Sequence, residues 1–178
     1  MVANALLAAG AGYTLGMSAM EIAQGLNQAE LTSGRLRVFE SNGVTVFDDT
    51  YNANPESMAA AIDTLTELSE AGVMVGKRYV VLGEMAEQGI HAEAAHLAIG
   101  KLAARRRITA ISVGELAKGI YQGAHEAGGE AIHFNDTDTA AQWLKEHCKV
   151  TDVVLFKGSR AAGMEKVMNQ AFTNSSTI

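Results

Sequence analysis

Apolar and polar positions alternate in blocks along most of the chain. Short apolar runs, typical of buried strands, lie at residues 44–47, 79–82, 110–113, 131–134 and 153–156. Longer segments of helical character separate or follow them, at residues 55–71, 91–106, 116–127, 137–147 and 160–172. Strands that alternate with helices predict right-handed β-α-β units and a mostly parallel sheet. We therefore expect an α/β fold with helices flanking the sheet.

Two parts of the chain depart from this alternation. Residues 36–40 and 44–47 flank Ser41-Asn42-Gly43, and an Asn-Gly turn between strand-like runs predicts a hairpin. This hairpin would add an antiparallel edge to the sheet. Residues 5–15 and 19–26 have helical composition and precede it. The expected architecture is a Rossmann-like sheet with an antiparallel edge hairpin, preceded by helices within residues 1–30.

Composition favours a globular protein. Of the 178 residues, 48% are hydrophobic, which is ample for a core. Tyr13, Thr14 and Glu21 interrupt the apolar stretches before they reach the roughly 18 residues that a bilayer span requires. The amino terminus also lacks the basic region of a signal peptide. We expect a cytoplasmic protein that does not bind membranes.

Charge and cysteine content exclude further classes. A net charge of −6 disfavours a general nucleic-acid binder, which needs a basic face for the phosphate backbone. The basic run Arg105-Arg106-Arg107 falls at a predicted helix end, where cations stabilise the free carbonyls. A single cysteine, Cys148, excludes an internal disulfide and a zinc cluster built on thiolates. The histidines are too scattered to indicate a metal site.

The densest set of polar side chains follows the run at residues 44–47. It reads Asp48-Asp49-Thr50-Tyr51-Asn52-Ala53-Asn54-Pro55. Pro55 suits the first turn of the next helix, so the octet forms a strand-to-helix turn. In open α/β sheets, ligands bind outside the carboxyl ends of strands, where this turn falls. The alternative for Asp48 or Asn54 is an ordinary helix cap.

Two other strand ends are expected beside this turn. Gly83-Glu84 follows one strand and Lys157-Gly158-Ser159 follows the last, so the three ends would form a polar crevice. Ser159 is expected to cap the final helix, whose free amides could bind a carboxylate or a phosphate. The alternative is a capped helix with no ligand.

The octet resembles a signature of the Mur ligases that add D-alanyl-D-alanine to UDP-N-acetylmuramoyl-tripeptide. Three more motifs fall in the order and rough spacing of that family, namely Gly34-Arg35, Val81-Leu82-Gly83-Glu84-Met85-Ala86-Glu87 and Lys157-Gly158-Ser159-Arg160. The resemblance covers about residues 31–172. It implies a carboxy-terminal Mur ligase domain over residues 31–178, with residues 1–30 a helical remnant of the central ATP-binding domain.

The same resemblance implies that this chain is part of a larger enzyme. A complete ligase of the family has three domains, and the central one carries a phosphate loop, Gly-x-x-Gly-Lys-Ser/Thr. No such loop occurs in this sequence, and Ala9-Gly10-Ala11-Gly12 lacks the following Lys-Ser/Thr. ATP and Mg²⁺ would therefore be held mainly by the central domain. We expect no catalytic residue in this chain and no activity from it alone.

The implied reaction forms an amide in peptidoglycan precursor synthesis. ATP phosphorylates the tripeptide carboxylate, and the amine of D-Ala-D-Ala then displaces phosphate. Carried over by motif, the nucleotide-binding roles fall on Arg35, Asp49 and Asn52. The substrate-binding roles fall on Tyr51, Asn54, Lys157, Ser159 and Arg160.

Two residues compete with or extend this set. Arg37 is the competitor of Arg35, because arginines two apart on one strand would point to the same face. His96, in Glu93-Ala94-Ala95-His96, also fits the family pattern. A histidine on an alanine-rich helix face is more often a satisfied packing residue, and that is the role we expect.

Two other functions stay open at this point. An acid pair after the first strand and a lysine after the last also describe phosphoacceptor receiver domains. A receiver needs an aspartate where this chain has Leu82-Gly83-Glu84, and it lacks the leading hairpin. The second alternative is a stand-alone nucleotide-binding or scaffolding domain without ligase chemistry.

Overall fold

The computed structural model of the protein describes residues 2–29, 34–70 and 76–172. The chain forms two compact units, Met1–Thr32 and Ser33–Ile178. The first unit contains helices α1 (Val2–Thr14) and α2 (Ala19–Asn27). Ser18 and Glu21 form a reciprocal capping box that fixes the start of α2. Within the described ranges, no helix is both long enough and apolar enough to cross a bilayer.

The second unit is built on a sheet of six strands, counted over the described residues. They are β1 (Arg37–Ser41), β2 (Val44–Asp49), β3 (Arg78–Leu82), β4 (Thr109–Val113), β5 (Ala131–Phe134) and β6 (Val153–Lys157). Their order across the sheet is β1-β2-β6-β3-β4-β5. β1 and β2 pair antiparallel, and every other pair is parallel. The predicted fold class is confirmed.

The edge hairpin turns at Asn42 and Gly43, as predicted. Their φ values of 51° and 77° are those of a type I′ turn, whose twist matches that of the strands. β1 begins only at Arg37, because Leu36 has a φ of 55° that interrupts the extended backbone. The prediction that Arg35 and Arg37 lie on one strand is therefore wrong.

Helices cover both faces of the sheet. α3 (Pro55–Glu70), α4 (Ala92–Arg105) and α5 (Lys118–Glu126) cover the first face, and α6 (Thr137–His147) and α7 (Met164–Ala171) cover the second. Leu155 belongs to the core on the first face and Phe156 to the core on the second. Both are completely buried, which explains why β6 reads as a continuous apolar run.

This arrangement places a topological switch at β6. β2, β3 and β4 are followed by helices on the first face, whereas β6 is followed by α7 on the second. β6 lies between β2 and β3, so the segments that follow these neighbouring strands run to opposite faces of the sheet. Such a point opens a crevice at the carboxyl ends of the strands, where α/β proteins bind ligands.

The helix after β6 begins later than predicted. Arg160–Ala162 forms a 3-10 turn, Gly163 has a φ of 63°, and α7 starts at Met164. Ser159 makes no side-chain capping bond, so the prediction that it caps a helix over residues 160–172 is wrong. The left-handed residue Gly163 breaks the helical path, and only glycine adopts that conformation at no steric cost.

Candidate functional site

Asp48 shapes the turn after β2 from within. Its Oδ1 accepts hydrogen bonds from the Thr50 hydroxyl at 2.7 Å and from the Thr50 amide at 3.3 Å. Nε of Arg37 lies 4.0 Å from its other oxygen. Asp48 is only 2% exposed. The first acid of the octet is thus a structural residue that closes the turn through Thr50, and it does not cap the following helix as the alternative expected.

Asp49 and Lys157 make the central polar contact of the site. They face each other in the β2–β6 ladder, and Nζ of Lys157 lies 2.6 Å from Oδ2 of Asp49. The same ammonium donates to the carbonyl of Asn52 at 2.9 Å. The side chain of Lys157 is 4% exposed, whereas that of Asp49 is 21% exposed. Lys157 therefore ties β6 to the octet, and Asp49 keeps part of its carboxylate open to solvent.

The Gly34-Arg35 motif packs on Tyr51. The amide of Tyr51 donates to the Gly34 carbonyl at 2.9 Å. Gly34 has a φ of 77°, and a Cβ there would lie 2.9 Å from the Tyr51 nitrogen, so the position requires glycine. The Arg35 guanidinium carbon stands 4.2 Å from the centre of the Tyr51 ring. Both side chains are exposed, and they form one cationic and aromatic surface.

The two asparagines of the octet make local bonds. Oδ1 of Asn52 accepts from the amide of Ala53 at 2.9 Å. Oδ1 of Asn54 accepts from the amide of Ser57 at 2.8 Å, and the Ser57 hydroxyl accepts from the amide of Asn54 at 3.1 Å. Asn54 therefore caps α3. Both asparagines remain exposed on the surface of the turn.

The turns after β3 and β6 are locked together. The amide of Gly83 donates to the Lys157 carbonyl at 2.9 Å, and the amide of Ser159 donates to the Glu84 carbonyl at 2.8 Å. Ser159 is 2% exposed, and its hydroxyl has no hydrogen-bond partner among the described residues. Leaving such a group unpaired costs about 1–3 kcal/mol, so Ser159 is poised to bond a ligand or a water.

A crevice of about 380 Å³ opens beside these turns, at the carboxyl ends of β3, β4 and β5. It is lined by Glu84, Val113, Gly114, Glu115, Leu116, Asn135, Asp136, Thr137, Ala161 and Ala162. Arg160 is exposed in the neighbouring turn. The predicted meeting of three strand ends is confirmed, because the turns after β2 and β3 each bond the end of β6. The crevice itself differs from the prediction: of the three predicted strand ends, Glu84 alone lines it, whereas the octet and Lys157-Gly158-Ser159 do not.

A larger depression lies at the opposite end of the sheet. It has a volume of about 970 Å³ and includes Tyr79, Trp143 and Asp152 near the amino ends of the strands. Strand amino ends are not where α/β sheets bind ligands, so cavity size does not mark the site here. In the basic run, Nε of Arg106 donates to Asp63 at 2.9 Å near the end of α4, which supports a structural role for that arginine.

His96 is satisfied inside the protein, as predicted. Its Nε2 accepts from the amide of Met85 at 2.9 Å, and its Nδ1 lies 2.6 Å from the carbonyl of Ala92. Sequence reasoning missed that the first bond reaches the loop after β3. The Lys157–Asp49 pair and the Arg35–Tyr51 contact were also missed. A sequence signal existed only for the Lys157–Asp49 pair, because both residues lie at predicted strand ends.

Comparison with known proteins assigns the chain to a family. The family description "Mur ligase, glutamate ligase domain" matches residues 34–160, from the Gly34-Arg35 motif to Arg160. The chain belongs to the Mur ligase family. This assignment displaces the receiver alternative and accounts for the order of the four motifs.

Individual relatives and solved structures show which Mur ligases this chain is similar to. A UDP-N-acetylmuramoyl-tripeptide–D-alanyl-D-alanine ligase from Mycobacterium tuberculosis is 36% identical over 185 residues, which cover 93% of this chain and 36% of that protein. A crystal structure of MurF from Acinetobacter baumannii superposes with a TM-score of 0.79 at 30% identity, over 96% of this chain and 36% of that one. The MurF ligase from Thermotoga maritima, solved in complex with ADP, gives a TM-score of 0.71 at 28% identity, over 90% and 35% of the two chains. The Mur ligase chain described here thus spans about a third of the length of these relatives.

Proposed function

We propose that this chain is the carboxy-terminal part of an ATP-dependent ligase that joins D-Ala-D-Ala to UDP-N-acetylmuramoyl-tripeptide in peptidoglycan precursor synthesis. The observation that carries the proposal is the bonding of four family motifs into one site at the topological switch. Gly34-Arg35 packs on Tyr51, and the turns after β2 and β3 both bond the turn after β6. Relatives named for this reaction match nearly the whole chain.

In this proposal, the two units of the chain belong to different domains. Residues 31–178 form the carboxy-terminal Mur ligase domain, and residues 1–30 are the last helices of the central ATP-binding domain. The first unit supports this assignment, because large apolar side chains are exposed on it, including Leu7, Tyr13 and Leu15 at 74%, 78% and 82%. Such a surface suits burial against further helices of a larger domain.

Arg35, Asp49 and Asn52 would bind the nucleotide. The guanidinium of Arg35 is permanently charged, and its fork matches phosphate oxygens. Stacking on Tyr51 restricts that side chain, which lowers the entropy lost on binding. The open part of the Asp49 carboxylate can accept from ribose hydroxyls, and its bond to Lys157 fixes its direction.

The dipeptide would bind around the turn after β6. Tyr51 and Asn54 lie on the β2 side of that turn, and Ser159 and Arg160 lie in the turn itself. Lys157 contributes from the buried side of the site, because its ammonium already bonds Asp49 and Asn52. The carboxylate of D-Ala-D-Ala suits the charge of Arg160. The nucleophilic amine of the dipeptide must point toward the central domain, where it meets the acyl phosphate.

Mg²⁺, when bound, would neutralise charge on the phosphate being transferred. The described residues of this chain contain no group of three His, Cys, Asp or Glu side chains that could hold a metal ion. We propose that Mg²⁺ binds mainly in the central domain and that this chain alone is inactive.

The test is Arg35→Ala in the longer protein that contains this chain. We expect kcat/KM for ATP to fall by a factor that corresponds to a loss of about 1.5–3 kcal/mol in transition-state stabilisation. This is the scale of a hydrogen bond to a charged group. Asp49→Ala should cost a similar amount. Arg105→Ala is the matched control, because that arginine is exposed at the end of α4, away from the site.

Two outcomes would contradict the proposal. Wild-type kinetics for a folded Arg35→Ala variant would remove the nucleotide role of that residue. Nucleotide binding without any product from D-Ala-D-Ala and the tripeptide would instead favour a nucleotide-binding protein without ligase chemistry.

A further inference from the structure

His96 lies in the first turns of α4, at its contact with α5. It is 2% exposed. A Cβ on Gly119 of α5 would lie 3.0 Å from the Cβ of His96, so α5 closes the pocket around the imidazole from behind. Because Nε2 accepts from the Met85 amide, the proton resides on Nδ1 and is donated to the carbonyl of Ala92. The ring therefore accepts from the loop and donates to its own helix, through opposite edges.

The loop that His96 holds contains no strand or helix residues between Leu82 and Gly89. β3 ends at Leu82, and the next helical residue is Gly89. Glu87 and Gly89 both have positive φ, at 62° and 52°, so the backbone reverses sharply there. Between these points, the Met85 amide is bonded to a side chain rather than to a strand or helix. The imidazole thus supplies a fixed point in the middle of the loop.

Met85 is linked to the turn after β6 through one residue, Glu84. Met85 directly follows Glu84, whose carbonyl accepts from the Ser159 amide at 2.8 Å. Glu84 also lines the crevice of about 380 Å³ beside that turn, together with Ala161 and Ala162. A shift of Met85 would therefore move a wall of the crevice and the residue that carries the unpartnered hydroxyl.

We propose that His96 is a positioning residue for binding of the acceptor substrate, and that it acts through Met85 and Glu84 on the turn at Ser159. The inference rests on the proposed function only for the identity of the acceptor, D-Ala-D-Ala. A residue that merely fills space in the core could be replaced by an apolar side chain of similar volume. A positioning residue needs a hydrogen-bond acceptor directed at Met85.

Two substitutions separate these roles. His96→Gln retains an acceptor oxygen that can reach the Met85 amide, whereas His96→Leu retains bulk but has no polar group. Ile99→Val is the matched control, since Ile99 is buried on the same helix and packs in the apolar core. Amide resonances of the isotopically labelled 178-residue chain would be recorded for each variant, alongside its urea unfolding.

We expect His96→Leu to move the amide resonances of both Met85 and Ser159. His96→Gln should move them much less, and Ile99→Val should leave Ser159 unchanged. In the longer protein, His96→Leu should raise KM for D-Ala-D-Ala about tenfold, the loss expected for one hydrogen bond's worth of ordering. Its kcat and its KM for ATP should stay within about twofold, because only acceptor binding is affected.

The proposal is overturned if His96→Leu and His96→Gln have the same effect, or if Ser159 does not respond to either. It is also overturned if KM for ATP and KM for the dipeptide rise together, because that pattern indicates general loosening. If the wild-type longer protein forms no product from these substrates, the proposed function fails instead. The Ser159 resonance then still decides whether His96 sets the turn.

Discussion

The ammonium of Lys157 is buried, and its two acceptors lie at the end of β2 and in the turn that follows it. One is the carboxylate of Asp49 and the other is the carbonyl of Asn52. A buried ion pair adds little net stability over an apolar pair, but breaking it leaves one charge uncompensated. At the scale of single residues, the site is therefore held by a contact whose removal is costly on either side.

Lys157→Met should destabilise the protein by about 3 kcal/mol, because it leaves the carboxylate of Asp49 without its partner. Adding Asp49→Asn should recover at least about 1 kcal/mol, a coupling that urea unfolding of the four variants would measure. Lys77→Met is the matched control, since Lys77 and Glu130 are 66% and 71% exposed. It should cost less than about 1 kcal/mol. Additive effects of the two site substitutions would show that the pair does not act as a unit.

Cys148 should be a poor nucleophile in the folded protein. Burial, and to a smaller extent the nearby Asp152, raises its pKa from 9.0 to about 12. At pH 8.5, iodoacetamide should label the folded chain more than about 100-fold more slowly than the urea-unfolded chain, because thiolate is the reactive form. The chain has one cysteine, so labelling reports this site alone. Equal rates in the two states would contradict the shift.

The same shift predicts how stability depends on pH. Below about pH 9 the thiol is protonated in both states, and its contribution to the free energy of unfolding is fully present. Between pH 9 and about pH 12 the unfolded thiol ionises first, so this contribution is lost as the pH rises. Burial also raises the pKa of Tyr79 to about 12, which acts in the same direction above pH 10.

At the scale of elements, α4 and α5 pack with their backbones in contact. A Cβ on Gly100 would overlap the carbonyl of Ile120, and one on Gly123 would overlap the carbonyl of Leu97. Neither neighbour can move aside, because both are helix backbone atoms. This close approach keeps His96 sealed between the two helices, so the packing of the elements supports the loop after β3.

Gly123→Ala should therefore destabilise the protein by at least about 2 kcal/mol, through overpacking against rigid backbone. Gly25→Ala in α2 is the matched control, because no atom lies within 4 Å of an added Cβ there. On propensity alone, that change should favour its helix by up to about 1 kcal/mol. Thermal unfolding followed by circular dichroism would compare them. Equal melting temperatures for the two variants would show that α4 and α5 can separate without cost.

Most elements could be predicted from the sequence, because apolar runs and helical segments alternate so regularly. The runs at residues 131–134 and 137–147 are the observed β5 and α6. The start of α7 could not be predicted, since it depends on the left-handed conformation of Gly163. The prediction that Arg35 lies on a strand was wrong for a similar reason, because Leu36 has a left-handed backbone conformation. Local backbone reversals leave no mark on hydrophobic periodicity.

The sequence predicted which strand ends meet at the site, but not which side chains bond to each other there. Motif order and the parallel sheet brought the octet, the Glu84 turn and the Lys157 turn together. Pairing Lys157 with Asp49 required the order of strands across the sheet, which a sequence does not state. The same holds for His96, whose partner Met85 lies on a loop.

At the scale of the whole molecule, the 178-residue chain should fold but release no ADP from ATP above background. The sequence contains no phosphate loop, and phosphoryl transfer depends on such a cradle for positioning and charge neutralisation. A cooperative melt together with a coupled ADP assay would test both parts. The longer protein serves as the positive control. ADP release by the chain at the rate of the longer protein would contradict the proposed division of labour.

Among the described strands, β6 comes last in the sequence, yet it occupies the middle of the sheet. While the chain is being synthesised, the β1–β2 hairpin and the β3–β4–β5 segment must wait for it, each with an open edge. Translation at about 5–20 residues per second makes that wait roughly 4–15 seconds after β3. Open strand edges invite pairing with other chains. The ribosome therefore delivers the strand that carries Lys157 after the other described strands, and the nascent protein completes the candidate site and closes its open edges in the same step.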